Sequence, residues 1–491
     1  MSGCEKKQAT DRSLRIHLPN VKLNLDPQKM EDAYSMAVVT QIYRGLLRYD
    51  TAGAVLSDLS ESWTEAPDHL SYRFKLKTAK FSDGSPITAT NVQMSFARMF
   101  LLGASMAADI DYITGSSKFK TTKDLSQFGV KAISSDTVEF RLDRPCAIFL
   151  KQIAVADCSI LPITDFHQDP NISTAGGFSG PYKIGKNFEN GSLEIQKWRT
   201  DALDSSLPPE HVTYFTTDKK PIDLALSGQT DTLDHDRVEI SEKKNLESKG
   251  WATTPSELAG EIFVVLNPQT ISEQVRHIMY SSVDPIEPLA VLNRSTFRPA
   301  YGLIPFGQQG ELSADDVKDL KTPPENKEKI KASIQLDYEK SSDLEEKTAQ
   351  FLKVKWAKLG IEITLNPLSK GEKLQRLFGK KSQAILARKA MDYPDGFSVL
   401  GYFKGNYESN YFFVNDPKID QALAEVLQTF DSAKRAEKYK AIQRDILKEH
   451  TLIPLFFGSD ASGLWSDKVK SVPAHPLGYH TLPLESVQMN R

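Results

Sequence analysis

The sequence predicts a mixed α/β protein built as two lobes, on three observations. Its 491 residues exceed what one hydrophobic core organises, roughly 250–300 residues. Runs that alternate with period two and runs with helical spacing follow one another in both halves, the pattern of mixed α/β layers. The character of the chain changes near Gly260, where the continuous apolar run Ile262-Phe263-Val264-Val265-Leu266 opens a second unit.

In the first half, Leu14-Arg15-Ile16-His17-Leu18 alternates as a half-buried strand and Leu25-Asp26-Pro27 stops it. Helical spacing covers 33–47, with Val38, Val39, Ile42, Tyr43, Leu46 and Leu47 on one side, and 48–53 reads as a strand end and turn. Strict alternation over 70–77 puts Leu70, Tyr72, Phe74 and Leu76 on one face of a strand. Phe81-Ser82-Asp83-Gly84-Ser85-Pro86 is a tight turn, and Thr88 can cap a helix that begins at Ala89. Residues 137–142 form another strand that ends at Arg144-Pro145. The glycine-rich stretch 176–184 lacks phosphate-loop spacing and has no helix after it, so it reads as close backbone packing before a strand. Asn190-Gly191 is a hairpin turn with Leu193-Glu194-Ile195 returning, and 219–233 reads as a short helix, Gly228 and a strand end.

In the second half, the run at 262–266 is apolar throughout and so is buried on both faces. A helix over 272–283 turns Val275, Ile278, Met279 and Ser282 inward, and 322–326 is a surface loop. Residues 330–336, a helix over 344–359 closed by Gly360, and 361–365 form a βαβ unit. Leu344, Thr348, Phe351, Leu352 and Trp356 make the helix's apolar stripe. A helix over 371–378 leads to the strand Ala384-Ile385-Leu386-Ala387, a long helix covers 431–448, and Leu452-Ile453-Pro454-Leu455-Phe456-Phe457 is a last apolar strand. The tail from Trp465 shows no pattern.

Composition excludes several classes. Hydrophobic residues make up 40% and charged residues 25%, and 61 basic against 64 acidic residues leave a net charge of -3. That balance gives no electrostatic footprint for nucleic acid. No apolar run spans a bilayer. Ser2-Gly3-Cys4 has the small-small-Cys form of a lipoprotein cleavage site, which makes Cys4 a lipidation candidate and Glu5 to Arg12 a polar tether; an ordinary start with a chance cysteine fits as well. Cys146 and Cys158 either pair or serve as small core residues. No Gly-x-Ser-x-Gly, phosphate loop, His-Glu-x-x-His or Cys-x-x-Cys is present, and the nine histidines are scattered, with His475 and His480 lacking partners at ligand spacing. The chain is therefore read as a non-enzyme without metal or cofactor.

The stretch with most chemistry is Arg388-Lys389-Ala390-Met391-Asp392-Tyr393-Pro394-Asp395-Gly396-Phe397, which follows a buried strand and ends in a turn. Strand ends of α/β lobes are where ligands are held. A polar strand-to-loop transition fits the local pattern too.

Taken in order, several stretches resemble a known family. They are Leu25-Asp26-Pro27, Gln41-Ile42-Tyr43-Arg44-Gly45-Leu46-Leu47-Arg48-Tyr49-Asp50, Leu59-x-Glu61-Ser62-Trp63, Tyr72-x-Phe74-x-Leu76 and Phe81-Ser82-Asp83-Gly84-Ser85-Pro86-Ile87-Thr88-Ala89. Gly180-Pro181-Tyr182-Lys183, Ser227-Gly228-Gln229-Thr230-Asp231, Val275-Arg276 through Val283-Asp284, Asp392-Tyr393-Pro394-Asp395 and Ile453-Pro454-Leu455 continue the likeness to about residue 460. Together they resemble the family 5 extracellular solute-binding proteins of ABC transporters, the oligopeptide- and dipeptide-binding group.

The resemblance implies a two-lobed, periplasmic-binding-protein-like clamp of the class II, or cluster C, type with an extra subdomain in the first lobe. It places a tether at 1–12, lobe 1 core at 13–36, 161–260 and 463–491, the extra subdomain at 37–160, and lobe 2 at 261–462. It implies a monomeric extracytoplasmic receptor, in the periplasm or at the outer face of the cytoplasmic membrane, that takes short peptides between its lobes and passes them to ABC permease subunits, touching the membrane only through a lipid anchor. It also implies that Asp392 pairs with the ligand's α-ammonium. Tyr393, Phe397, Tyr43 and Phe178 either line the ligand site or belong to the core. Arg388 and Lys389 stand where the family has Gly-Trp. Either one of them faces the ligand and favours an acidic or γ-glutamyl peptide such as glutathione, or both point to solvent. Nickel, haem and sugar binders share the fold and form the alternative; a secreted hydrolase or a chaperone is a third reading.

Overall fold

The computed structural model describes residues 11–490 apart from 20–21, 31, 190, 200–206, 235–237, 239, 254–259, 293–296, 325–329, 406–409, 459–462, 476 and 479–480. Cys4, Asn190, part of the 322–326 loop and His480 lie outside the described residues. The chain divides into two compact units, Met1–Pro145, Phe149–Ser256 and Asp460–Arg491 forming one, and Cys146–Ile148 with Glu257–Ser459 the other.

The first unit holds a seven-stranded sheet in the order Ala252–Thr253, Gly463–Trp465, Thr232–Asp234, Ser13–Leu18, His211–Thr216, Ser192–Lys197, Tyr182–Glu189. Ser13–Leu18 runs parallel to both its neighbours, and its alternation buries Leu14, Ile16 and Leu18. A second, four-stranded antiparallel sheet orders Ser60–Glu65, Ser71–Leu76, Thr137–Arg141, Val130–Ala132. Tyr72, Phe74 and Leu76 are buried as the alternation requires, and Phe74 meets Phe140 edge to face at 5.5 Å. The helix Ala89–Leu102 starts at Thr88 in a capping box with Asn91. It lays Phe96 against Phe140, with ring centroids 4.9 Å apart.

Two expectations fail here for tertiary reasons. The helix expected over 33–47 ends at Ile42. The N–H of Gly180 donates to the carbonyl of Ile42 at 2.9 Å, and a Cβ on Gly180 would lie 2.5 Å from the carbonyl oxygen of Gln41. A distant backbone thus docks on the helix end and turns the chain into the strand Leu47–Tyr49. The tail is ordered by long-range contacts that no local pattern carries. Gly463–Trp465 pairs antiparallel with Thr232–Asp234, Gln41 exchanges hydrogen bonds with Leu482 and Leu484, and Arg44 bridges Asp58 and the buried Glu485.

The second unit is a six-stranded sheet in the order Arg298–Pro299, Leu452–Gly458, Gly260–Leu266, Ala384–Lys389, Ala332–Glu339, Ile361–Leu368. Gly260–Leu266 is antiparallel to both neighbours and every residue of it is buried. Ala332–Glu339, the helix Asp343–Ala357 and Ile361–Leu368 form the expected parallel βαβ unit. Gly360 closes the helix at a φ of +83°, a left-handed conformation that favours glycine.

The helix Glu273–Ser282 is rotated from its expected face. Arg276, Met279 and Tyr280 are buried, while Val275 and Ile278 are only half buried. The guanidinium of Arg276 donates to the carbonyls of Ile271 and Glu449, so a cation replaces an apolar residue on the inner face. Cys146 and Cys158 are both buried and no disulfide joins them, so they serve as small core residues.

Candidate functional site

The strand Ala384–Lys389 lies inside the sheet of the second unit, and Ala384 to Ala387 are all buried. Polarity begins where it leaves the sheet. Arg388 is exposed, the Lys389 side chain is 16% exposed and the Asp392 side chain 47%. The buried hydroxyl of Ser398 accepts the N–H of Asp392 at 2.6 Å and that of Tyr393 at 3.3 Å. Two backbone donors that the strand no longer satisfies are thereby paired, and the acid is held in one place.

The two acids of Asp392-Tyr393-Pro394-Asp395 do different work. Asp395 is 3% exposed, accepts the N–H of Phe397 at 3.1 Å at the start of the turn Phe397–Leu400, and accepts the hydroxyl of Tyr439. It is structural. Only Asp392 presents a carboxylate to solvent.

That carboxylate carries an internal cation. Lys389 Nζ lies 2.9 Å from Asp392 Oδ2 and 3.3 Å from Oδ1. The same ammonium sits 3.9 Å from the ring centroid of Tyr402, whose hydroxyl donates to Asp392 Oδ2 at 2.9 Å. Charge-assisted bonds and a cation–π contact therefore hold Lys389 over the acid. Lys389 does not point to solvent; it turns onto Asp392.

Behind the pair stands Glu261, the antiparallel partner of Lys389 across the ladder. It is 2% exposed, and among the described residues no donor reaches either carboxyl oxygen. Burial alone pushes its carboxyl well above the usual range. Tyr411, also buried, has its phenol pushed up by burial first, then by the charges of Asp392 and Glu261.

The structure thus brings Arg388, Lys389 and Asp392 together at one strand end. The four aromatics read as pocket lining or core are all buried, as the core alternative has it: Tyr393 and Phe397 at 0% and 1% exposure in the second unit, Tyr43 and Phe178 at 2% and 0% in the first. Tyr43 and Phe178 face each other at 5.6 Å inside that core. Sequence reasoning missed Ser398, Tyr402, Tyr411 and Glu261. Only Glu261 had a local signal, a charge opening an apolar strand. A separate cavity of about 1030 Å³ in the second unit is lined by helix side chains, Ile278, Val291, Phe351, Val354 and Leu359 among them, and includes none of Arg388, Lys389, Asp392, Ser398, Tyr402, Tyr411 or Glu261.

Residues 54–279 match the model of the bacterial extracellular solute-binding proteins, family 5 middle region. Over these residues the chain is similar to that family. Similar proteins include the periplasmic oligopeptide-binding protein OppA of Escherichia coli K12, 24% identical over 466 residues that cover 88% of this chain and 85% of the relative. The glutathione-binding protein GsiB of E. coli O1:K1 is 23% identical over 460 residues, covering 88% and 86%. The solved structure of the E. coli murein tripeptide binding protein MppA superposes with a TM-score of 0.79 at 18% identity, covering 98% of this chain and 99% of that one. That likeness establishes the fold. No helix among the described residues is long and apolar enough to cross a membrane.

Proposed function

We propose that this protein is the extracytoplasmic receptor of an ABC importer for short peptides, and that Asp392 receives the peptide's α-ammonium. The observation that carries the reading is the half-exposed Asp392 carboxylate, fixed at a strand end by Ser398 and Tyr402 while its neighbour Asp395 is consumed internally. A fixed carboxylate replaces the water that an ammonium loses on binding. The names of the relatives OppA and MppA support a peptide as the ligand class. Delivery to permease subunits and anchoring through Cys4 complete the proposal. The intact mass of the mature chain tests the anchor.

The finer part concerns charge. Arg388 and Lys389 against Asp392 leave one net positive charge at this strand end, which favours ligands with additional carboxylate such as γ-glutamyl peptides. The relative GsiB is named for glutathione binding. A calorimetric panel of neutral, acidic and γ-glutamyl tripeptides tests both parts: binding of none of them removes the peptide class, and equal affinity across the panel removes the acidic preference. A second reading, a non-peptide solute without a free ammonium, is favoured by the Lys389–Asp392 pair, which already neutralises the acid.

A further inference from the structure

Two features of this strand end stand unexplained by a simple ammonium acceptor. The acceptor is already occupied, because Lys389 rests on Asp392 and on the Tyr402 ring. One residue across the ladder, a buried carboxyl has no partner at all among the described residues. An unpartnered buried carboxyl is costly, and native proteins hold few of them.

The ladder connects the two. Glu261 and Lys389 are directly opposed on antiparallel strands, so their side chains leave the sheet on the same face. Directly opposed Cβ atoms lie about 4.5–5.5 Å apart, well within the combined reach of a lysine and a glutamate. The other ladder neighbour of Glu261 is Phe457, buried and without charge. Among the described residues, the buried Tyr411 is a further titratable group that feels its charge. Lys389 is thus the cation poised to reach Glu261.

We propose that Lys389 exchanges counter-ions on ligand binding, leaving Asp392 to the ligand's ammonium and pairing with Glu261, which gives up a proton to solvent. The inference rests on the reading of Asp392 as the ammonium acceptor. Its charges balance. Before binding, Asp392 and Lys389 cancel and Glu261 is neutral. Afterwards the ligand ammonium and Asp392 cancel, Lys389 and Glu261 cancel, and one proton has left as one positive charge entered. No bond other than the Glu261 O–H is broken. Without Glu261, a displaced Lys389 would be left as a half-buried cation without a counter-ion, and the ligand would have to overcome that. The pair therefore acts as a specificity device: it resists cations until a ligand binds Asp392 firmly enough to displace Lys389.

The test is calorimetry of trialanine and N-acetyl-trialanine between pH 5 and 7, in buffers of different ionisation enthalpy. The full chain should release about one proton per trialanine bound, and affinity should rise up to about tenfold per pH unit. Glu261→Gln, close in shape to the neutral acid, should weaken trialanine binding by on the order of tenfold or more and abolish both proton release and pH slope. Lys389→Met should also abolish release and slope but strengthen trialanine binding, because the competing cation is gone. Asp392→Asn separates the two levels: if it leaves trialanine affinity unchanged, the ammonium-acceptor reading itself fails. If Asp392→Asn loses affinity while Glu261→Gln matches the unaltered protein and no proton is released, the exchange alone is overturned.

Discussion

Replacing Asp392 with alanine should reduce affinity for free-amine peptides by about 10- to 150-fold and leave the fold intact. The magnitude follows from how the acid is held. Removing one partner of a fully desolvated ion pair costs about 3–5 kcal/mol. Asp392 is 47% exposed, so that figure is too large for it. A hydrogen bond to a charged group contributes about 1.5–3 kcal/mol, which converts to the range given. The fold should survive because the backbone N–H of residue 392 is held by Ser398 and not by the carboxylate. The assay is calorimetry with a free-amine tripeptide and its N-acetylated form, alongside circular dichroism. The loss should be confined to the free-amine ligand. An unchanged Kd for that ligand in a folded variant, or equal losses for both ligands, would refute the reasoning.

Three further outcomes follow from the same structure. Ser398→Ala removes the acceptor of two backbone N–H groups at the strand end; it should lower stability by about 1–3 kcal/mol in urea melts and weaken binding as well. Gly180→Ala pushes a methyl to within 2.5 Å of the Gln41 carbonyl oxygen and should cost about 1–3 kcal/mol by overpacking, with a lowered Tm as the readout. His450 is buried, has neither ring nitrogen bonded among the described residues, and is held to a pKa of about 4 by burial and then by the charges of His277, Arg276 and Lys321. Between its ordinary value of 6.5 and about 4, the unfolded chain takes up a proton that the folded chain refuses. Stability is therefore full above pH 6.5 and falls toward pH 4 by up to about 3 kcal/mol. The φ of +50° at His450 suits asparagine, so His450→Asn should flatten that acid slope.

Elements set by local pattern were legible. Ser71–Leu76 alternates, Gly260–Leu266 is apolar throughout, and the βαβ unit ends its helix at Gly360. Elements set by distant contacts were not. The helix Ala33–Ile42 is shorter than its apolar spacing suggests because Tyr43, Leu46 and Leu47 are apolar in any conformation, and the distant backbone of Gly180 docks on its end. The strand His211–Thr216 carried an alternation, with Val212 and Tyr214 buried, that passed unnoticed among polar neighbours. At the site, Asp392 could be found from its motif. The direction of Lys389 could not, because it depends on Tyr402 returning over the turn to provide a ring and a hydroxyl. The aromatics Tyr43, Phe178, Tyr393 and Phe397 show the reverse case, in which residue types common in binding pockets are consumed by packing.

The central claim is that this chain is a receptor for short peptides. Native mass spectrometry of the purified protein, followed by release and sequencing of what it carries, tests it most directly. The expected result is a set of short-peptide masses lost on unfolding and absent or reduced from Asp392→Ala. A single non-peptide solute retained equally by both proteins would contradict it.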